Sequence, residues 1–267
     1  MTARIVHVSD LHIGSHDAQE PYTALQELAA GIQPDLILAT GDLTERGRSG
    51  ELERAAARLR DLRRPLLVVP GNHDIPYYNV PARYTRPFAA WGRVFGPVEP
   101  VHETDELVVV GLNSVRPWRQ QGGAVRDVSL ARAVELLGAA PRQALRVVAF
   151  HHHLASPPWR PARKRPLSRR GHVLELLASA SAELVVGGHV HQASIASLRE
   201  FQAVDNSRGA SIVLATAPGL GRPRPHRKGE AQGINVYESE AQTLTVITLA
   251  WDGSSFAEIG RRSFPRG

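Results

Sequence analysis

Aspartates and histidines recur in this sequence directly after short apolar runs. They form five clusters: Asp10 with His12, Asp42, Asn72-His73-Asp74, the run His151-His152-His153, and His189 with His191. Nitrogen and oxygen donors without sulfur suit manganese, iron, zinc or cobalt. One residue separates Asp10 from His12 and His189 from His191. In an extended segment each pair would face one side and could grip one ion. Asn72 offers a neutral carbonyl oxygen, His73 a nitrogen base, and Asp74 a carboxylate that could orient it. Singly, each cluster has an ordinary explanation, such as a turn aspartate, a helix cap or a surface histidine. Their common position makes them informative together.

That position is the carboxyl end of a strand, where open α/β sheets bind ligands. Residues 5–8, 35–40 and 66–69 are short apolar runs that read as buried strands. Between them, residues 21–30 and 49–63 carry helical apolar periodicity. Pro21 opens the first, Gly31 closes it, and Leu52, Ala55, Ala56, Leu59 and Leu62 stripe the second. This β-α-β-α-β series predicts a parallel sheet with right-handed crossovers. Residues 75–100 are rich in proline and aromatics, with a short helix expected at 88–95. Further strands are expected at 107–112, 146–150 and 184–186. Ser129 is placed to cap one helix, and Val173, Leu176 and Leu177 mark another. The runs at 194–198, 212–215, 234–237, 244–249 and 255–259 predict a second sheet with much antiparallel pairing.

Composition narrows the classes. At 267 residues the chain can be one large α/β domain or two small ones. The absence of cysteine excludes disulfides, zinc-thiolate sites and cysteine nucleophiles, and fits a reducing cytoplasm. The apolar stretch at 5–8 is too short for a signal-peptide core. No window approaches ~18 consecutive apolar residues, so no transmembrane segment is expected. The formal charge of +6 favours anionic partners: a small phosphate, nucleic acid or an acidic lipid surface. Six of the twelve residues 159–170 are cationic, which makes Arg163 and Arg165 candidate substrate-binding residues. A second basic loop spans 222–228. Self-association as a homo-oligomer is left open.

The blocks Asp10-x-His12, Gly41-Asp42, Gly71-Asn72-His73-Asp74, the histidine run and Gly188-His189-x-His191 stand in one order across residues 8–191. Together they resemble the signature of calcineurin-like metallophosphoesterases. The resemblance implies an α/β fold, a four-layer αββα sandwich of two mixed β-sheets flanked by helices, with 1–267 as one domain. It implies two divalent or trivalent metal ions (Mn2+, Fe2+/Fe3+ or Zn2+) at one edge. Asp10, His12, Asp42 and His191 would hold the first ion. Asp42 would bridge to the second, completed by Asn72, His189 and His151, with His152 as the alternative to His151. His73 would face the leaving-group oxygen as a catalytic residue, and Asp74 would hold its ring.

Among such enzymes, the compact chain looks most like the class III cyclic nucleotide phosphodiesterase and glycerophosphodiesterase group. Lipid A-precursor hydrolases usually show arginine where His73 stands. The resemblance therefore implies hydrolysis of small phosphodiesters, cyclic nucleotides among them, by a metal-bridging hydroxide. The alternatives are a nuclease, a phospholipid-headgroup phosphodiesterase or a phosphomonoesterase. A metal-free binding module of this family would lack ligands, and none is missing here.

Overall fold

The strand-forming runs are apolar on both faces, which requires cover on both sides of the sheet they build. The computed structural model describes residues 3–14, 19–119, 121–155, 165–201, 212–223, 230 and 232–266. The first half runs β1 (Ala3–Val8), α1 (Glu20–Ile32), β2 (Leu36–Ala39), α2 (Ser49–Arg60), β3 (Leu66–Val68), α3 (Val80–Thr85) and α4 (Ala89–Val94). The middle runs β4 (Val101–Glu103), β5 (Leu107–Gly111), α5 (Asp127–Ala139), β6 (Leu145–Ala149), α6 (Arg170–Ser179) and β7 (Leu184–Gly187). The last part runs β8 (Ser194–Ser197), α7 (Leu198–Phe201), β9 (Val213–Thr216), β10 (Gly233–Ser239), β11 (Thr243–Trp251) and β12 (Phe256–Pro265).

Two six-stranded sheets result, ordered β12-β11-β10-β1-β2-β3 and β4-β5-β6-β7-β9-β8. Both are mixed. β1, β2 and β3 are parallel, while β10, β11 and β12 extend that sheet in antiparallel pairing. In the second sheet β5, β6, β7 and β9 are parallel, with antiparallel β4 and β8 at the edges.

Period-two alternation sorts the side chains into three apolar layers. Ile5, Leu36, Leu38, Leu67, Val109, Val147 and Val186 meet between the sheets. Val6, Val8, Ile37 and Ala39 point outward against Leu25, Leu52, Ala55, Leu59 and Trp91 of the first helical layer. Val108, Val110, Val148 and Val185 pack against Leu130, Leu137, Val173 and Leu177 on the other side. The αββα sandwich of two mixed sheets flanked by helices is what the resemblance implied.

Several local expectations are corrected. The C-terminal strands do not all make a separate sheet: β10 pairs with β1 in the register Ala3↔Ser239 to His7↔Asn235. Periodicity identifies a strand and not its partner. The proline-rich stretch contains α3, because Pro81 stands in a first turn, where a missing N–H costs nothing. Asn79 Oδ1 caps it by accepting from the Ala82 N–H at 3.0 Å. Gly31 does not end α1; Gln33 does, in a left-handed conformation with φ of 51°. Ser129 lies inside α5 and donates to Glu99 Oε2 at 3.0 Å instead of capping. β4 is a further strand that the sequence did not betray.

Candidate metal centre

The parallel strands of both sheets release their chains at one edge, and the five clusters meet there. Three overlapping groups of donors form: Asp10, His12 and His191; His12, Asp42 and His73; and Asp42, His151 and His189. Within each group the donor atoms lie within 4.8 Å of one another. His12 Nε2 and His191 Nε2 are 3.2 Å apart. His151 Nε2 stands 3.1 Å from His189 Nδ1, 3.2 Å from Asn72 Oδ1 and 3.3 Å from Asp42 Oδ2.

The pairs converge for a different reason from strand alternation. Asp10, His12, Asp42, His189 and His191 all have positive φ, between 47° and 71°. Among the described residues they account for five of the nine non-glycine residues in that region. A left-handed backbone costs about 1–2 kcal/mol per residue, and such strain gathers where surrounding structure imposes a functional geometry. Close packing supports it. A Cβ on Gly188 would lie 1.8 Å from Ser9 Oγ and 2.5 Å from Asp10 Oδ2. A Cβ on Gly71 would lie 2.1 Å from Asp42 N. The loop after β9 closes behind Asp10: Leu220 N–H donates to Ser9 O at 2.9 Å and Gly221 N–H to Asp10 O at 3.0 Å.

The two carboxylates share one design. Asp10 Oδ2 accepts from Ser9 Oγ–H at 2.7 Å and from His189 N–H at 2.9 Å. Its Oδ1 is buried without an acceptable hydrogen bond among the described residues, 3.2 Å from His191 Nε2. Asp42 Oδ1 accepts from His73 N–H at 2.8 Å, and Oδ2 faces His151 at 3.3 Å and His12 at 3.9 Å. Each thus has one oxygen fixed by the protein and one turned into a cluster of imidazoles. Burial works to raise both carboxyl pKa values. The histidines beside them prevail, His191 at Asp10 and His151 at Asp42, and hold both carboxyls below the usual range. Burial would lower His151, but Asp42 raises it to about 9. A cationic His151 would offset part of the charge of the two buried carboxylates. Burial, with His191 adding to it, pushes His12 down to about 3, so His12 is neutral and ready to ligate. This donor set fits divalent cations.

The second ring nitrogens are also anchored, which sets tautomer and orientation. His151 Nδ1–H donates to Thr40 O at 2.8 Å, His189 Nε2–H to Gln121 Oε1 at 3.0 Å, and His73 Nδ1–H to Glu45 O at 2.9 Å. His152 stands apart from the donor groups, with Nδ1 2.9 Å from Ser114 Oγ. Asp74 does not hold the His73 ring, contrary to expectation. Its Oδ2 folds back to accept from Gly71 N–H at 2.8 Å, and its Oδ1 accepts from Thr44 N–H at 2.9 Å. Burial, with Asp42 adding to it, raises Asp74 to about 7. Asp74 shapes the turn that presents Asn72 and His73. Gln121 and the carbonyls of Thr40 and Glu45 left no sequence signal, since any residue supplies a carbonyl.

Arg163 lies outside the described residues, as does most of the 222–228 loop. Arg165 is described, exposed beside Gly122. Another rim is visible. Tyr77, Tyr78, Tyr84 and Trp118 are exposed, Trp118 at 66% and Tyr78 at 62%. Arg83 joins their loops by donating to Pro76 O at 3.1 Å and Pro117 O at 2.9 Å. The Arg46 guanidinium sits 5.5 Å and 5.1 Å from the Tyr77 and Tyr78 ring centroids. Arg46 follows Glu45, whose carbonyl holds His73, so this rim adjoins the site.

Comparison with known proteins agrees with this geometry. The calcineurin-like phosphoesterase family matches residues 3–193. A probable cyclic nucleotide phosphodiesterase of Moraxella catarrhalis is 36% identical over 80 residues, 28% of this chain and 29% of that protein. Another, from Synechococcus, is 28% identical over 208 residues, 73% of this chain and 76% of its own. The crystal structure of a dimetal phosphatase from Danio rerio superposes with a TM-score of 0.66 at 13% identity, covering 99% of both chains, a likeness of fold. The family match agrees with the clustered aspartate and histidine donors as a candidate metal site. Among the described residues no helix is long and apolar enough to cross a membrane. The chain belongs to the calcineurin-like phosphoesterase family, and it is a metal-dependent phosphoric ester hydrolase.

Proposed function

We propose that the chain is a single catalytic domain that hydrolyses small phosphodiesters, cyclic nucleotides among them, in a reducing cytoplasm. One observation carries the reading: Asp42 is shared by two adjoining donor groups, one of which includes His73. Asp10, His12, Asp42 and His191 would hold one ion, and Asp42, Asn72, His151 and His189 the other. When bound, two such ions supply Lewis acidity, activating water and neutralising phosphoryl charge.

The chain's own residues do the rest. His73 has Nδ1 committed to Glu45 O, so Nε2 is its atom for proton transfer to the departing oxygen. A positioned general acid contributes about 10²–10⁴-fold. Asp74 keeps the turn that aims His73, and Arg165 would meet the outer part of the substrate. The exposed rings of Tyr77, Tyr78 and Trp118, with Arg46 among them, support a substrate that carries a nucleobase. The names of the relatives point the same way.

The test is turnover by the manganese-loaded protein. The panel is bis-p-nitrophenyl phosphate, p-nitrophenyl phosphate, 3′,5′-cyclic AMP, glycerophosphoethanolamine and single-stranded DNA. Diester cleavage with cyclic AMP among the substrates supports the reading; activity on the monoester alone sinks it.

A further inference from the structure

The interior between the sheets is apolar for most of its depth, but its last layer before the metal centre is polar. Thr248, Asn235, Tyr237, His7 and Thr40 are all buried there. They stand on, or just past, the neighbouring strands β11, β10, β1 and β2. Asn235 is in register with both His7 and Thr248, so the three form one row. Tyr237 and Thr40 lie on the same face, two residues along from Asn235 and Leu38.

Hydrogen bonds run the length of this row. Thr248 Oγ1–H donates to Asn235 Oδ1 at 3.0 Å. Asn235 Nδ2 donates to Tyr237 Oη and, across to the second sheet, to Thr216 O, each at 3.3 Å. Tyr237 Oη is 2.8 Å from His7 Nδ1, and His7 Nε2 is 2.8 Å from Thr40 Oγ1. Because Asn235 donates to the phenol oxygen, the phenol proton is available to His7 Nδ1. The other ring nitrogen then carries the proton and donates to Thr40 Oγ1. The chain of donors ends on the residue whose carbonyl holds His151 Nδ1.

A buried polar row costs desolvation that leucine or valine would avoid. Here it occupies the depth at which the sheet reaches a candidate ligand. We propose that His7 is a positioning residue: through Thr40 it fixes the ring of His151, keeping Nε2 directed at Asp42 and Asn72 for the ion they share. The proposal rests on the dimetal reading above.

The test is a cobalt(II) titration of the chelator-treated full chain, followed by visible absorption. His7→Leu should weaken one of two binding steps by about 10–100-fold, the usual cost of losing an outer partner of a ligand, and leave the other unchanged. His7→Gln, whose amide can still donate to Thr40 Oγ1, should recover most of the loss. Tyr237→Phe, which keeps the packing, should weaken the same step, and it carries the test if His7→Leu fails to fold. A folded His7→Leu protein that matches wild type in both steps overturns the proposal. So does a His7→Gln protein as weak as His7→Leu, since the loss would then be one of shape. A wild-type chain that takes up fewer than two ions refutes the dimetal reading itself, before any variant is compared.

Discussion

Acidification from pH 7 to pH 5 should destabilise the metal-free protein through His7, and His7→Gln should remove that share of the loss. The ring is fully buried, with a hydrogen-bond partner at each nitrogen. Burial lowers its pKa from 6.5 to about 3, against an opposing pull from Asp10. Between those values the unfolded chain binds a proton that the folded chain refuses. The stability is therefore fully present above the unfolded pKa, and it is lost as pH falls towards the folded one. Each pH unit inside the window is worth about 1.4 kcal/mol. The loss is then about 2 kcal/mol at pH 5, and roughly 5 kcal/mol across the whole window. With a urea slope of about 3 kcal/mol per molar, the wild-type midpoint should fall about 0.7 M further than that of His7→Gln between pH 7 and pH 5. Urea melts in excess chelator measure this without metal release, and comparing the two proteins cancels groups such as His12 and His151. Equal shifts in both proteins would refute the claim that a neutral imidazole is buried there.

His73→Ala should leave metal content near wild type and cut turnover by about 10²–10⁴-fold; unchanged turnover removes His73 from the chemistry. Asp42→Ala should lower the content of both ions, measured by elemental analysis, and loss of one alone contradicts its shared role. Gly188→Ala forces a methyl group to 1.8 Å from Ser9 Oγ and should displace Asp10, weakening metal uptake. Gly31→Ala meets nothing within 4 Å inside α1 and should raise stability by about 0.5–1 kcal/mol, read from a urea melt.

What the sequence disclosed follows how local each feature is. Buried parallel strands are short continuous apolar runs, so β1, β2, β3, β6 and β7 and the polar blocks after them could be read directly. Helix α2 announced itself because one stripe of Leu52, Ala55, Ala56 and Leu59 must be buried. The partner of β10 could not be read, because register with β1 is decided over most of the chain's length. The five left-handed residues were also hidden: Asp and His enter that region more readily than most residues but still seldom, and the contacts that impose it come from Gly188, Gly71 and the loop at 219–221. Asp74 beside His73 in sequence suggested a pair, but a tight turn sends the two side chains apart. The ring anchors of His73 and His151 are main-chain carbonyls, which carry no residue identity.

β1 sits in the middle of its sheet, with β2 on one side and β10 on the other. Its partners become available at very different times during synthesis: Ile5 pairs with Leu36, whereas Ala3 waits for Ser239. The β1-β2-β3 unit can form early, but the other edge of β1 then stays bare until residues 233–239 leave the ribosome. A bare edge recruits other chains, and long-range pairing is slow. The loop that closes behind Asp10 comes from residues 219–221, so it too arrives late. A nascent chain ending before residue 233 would carry every block of the signature and still expose the edge of its central strand. Completion of the candidate metal centre is thus tied to one of the last pairing events in folding.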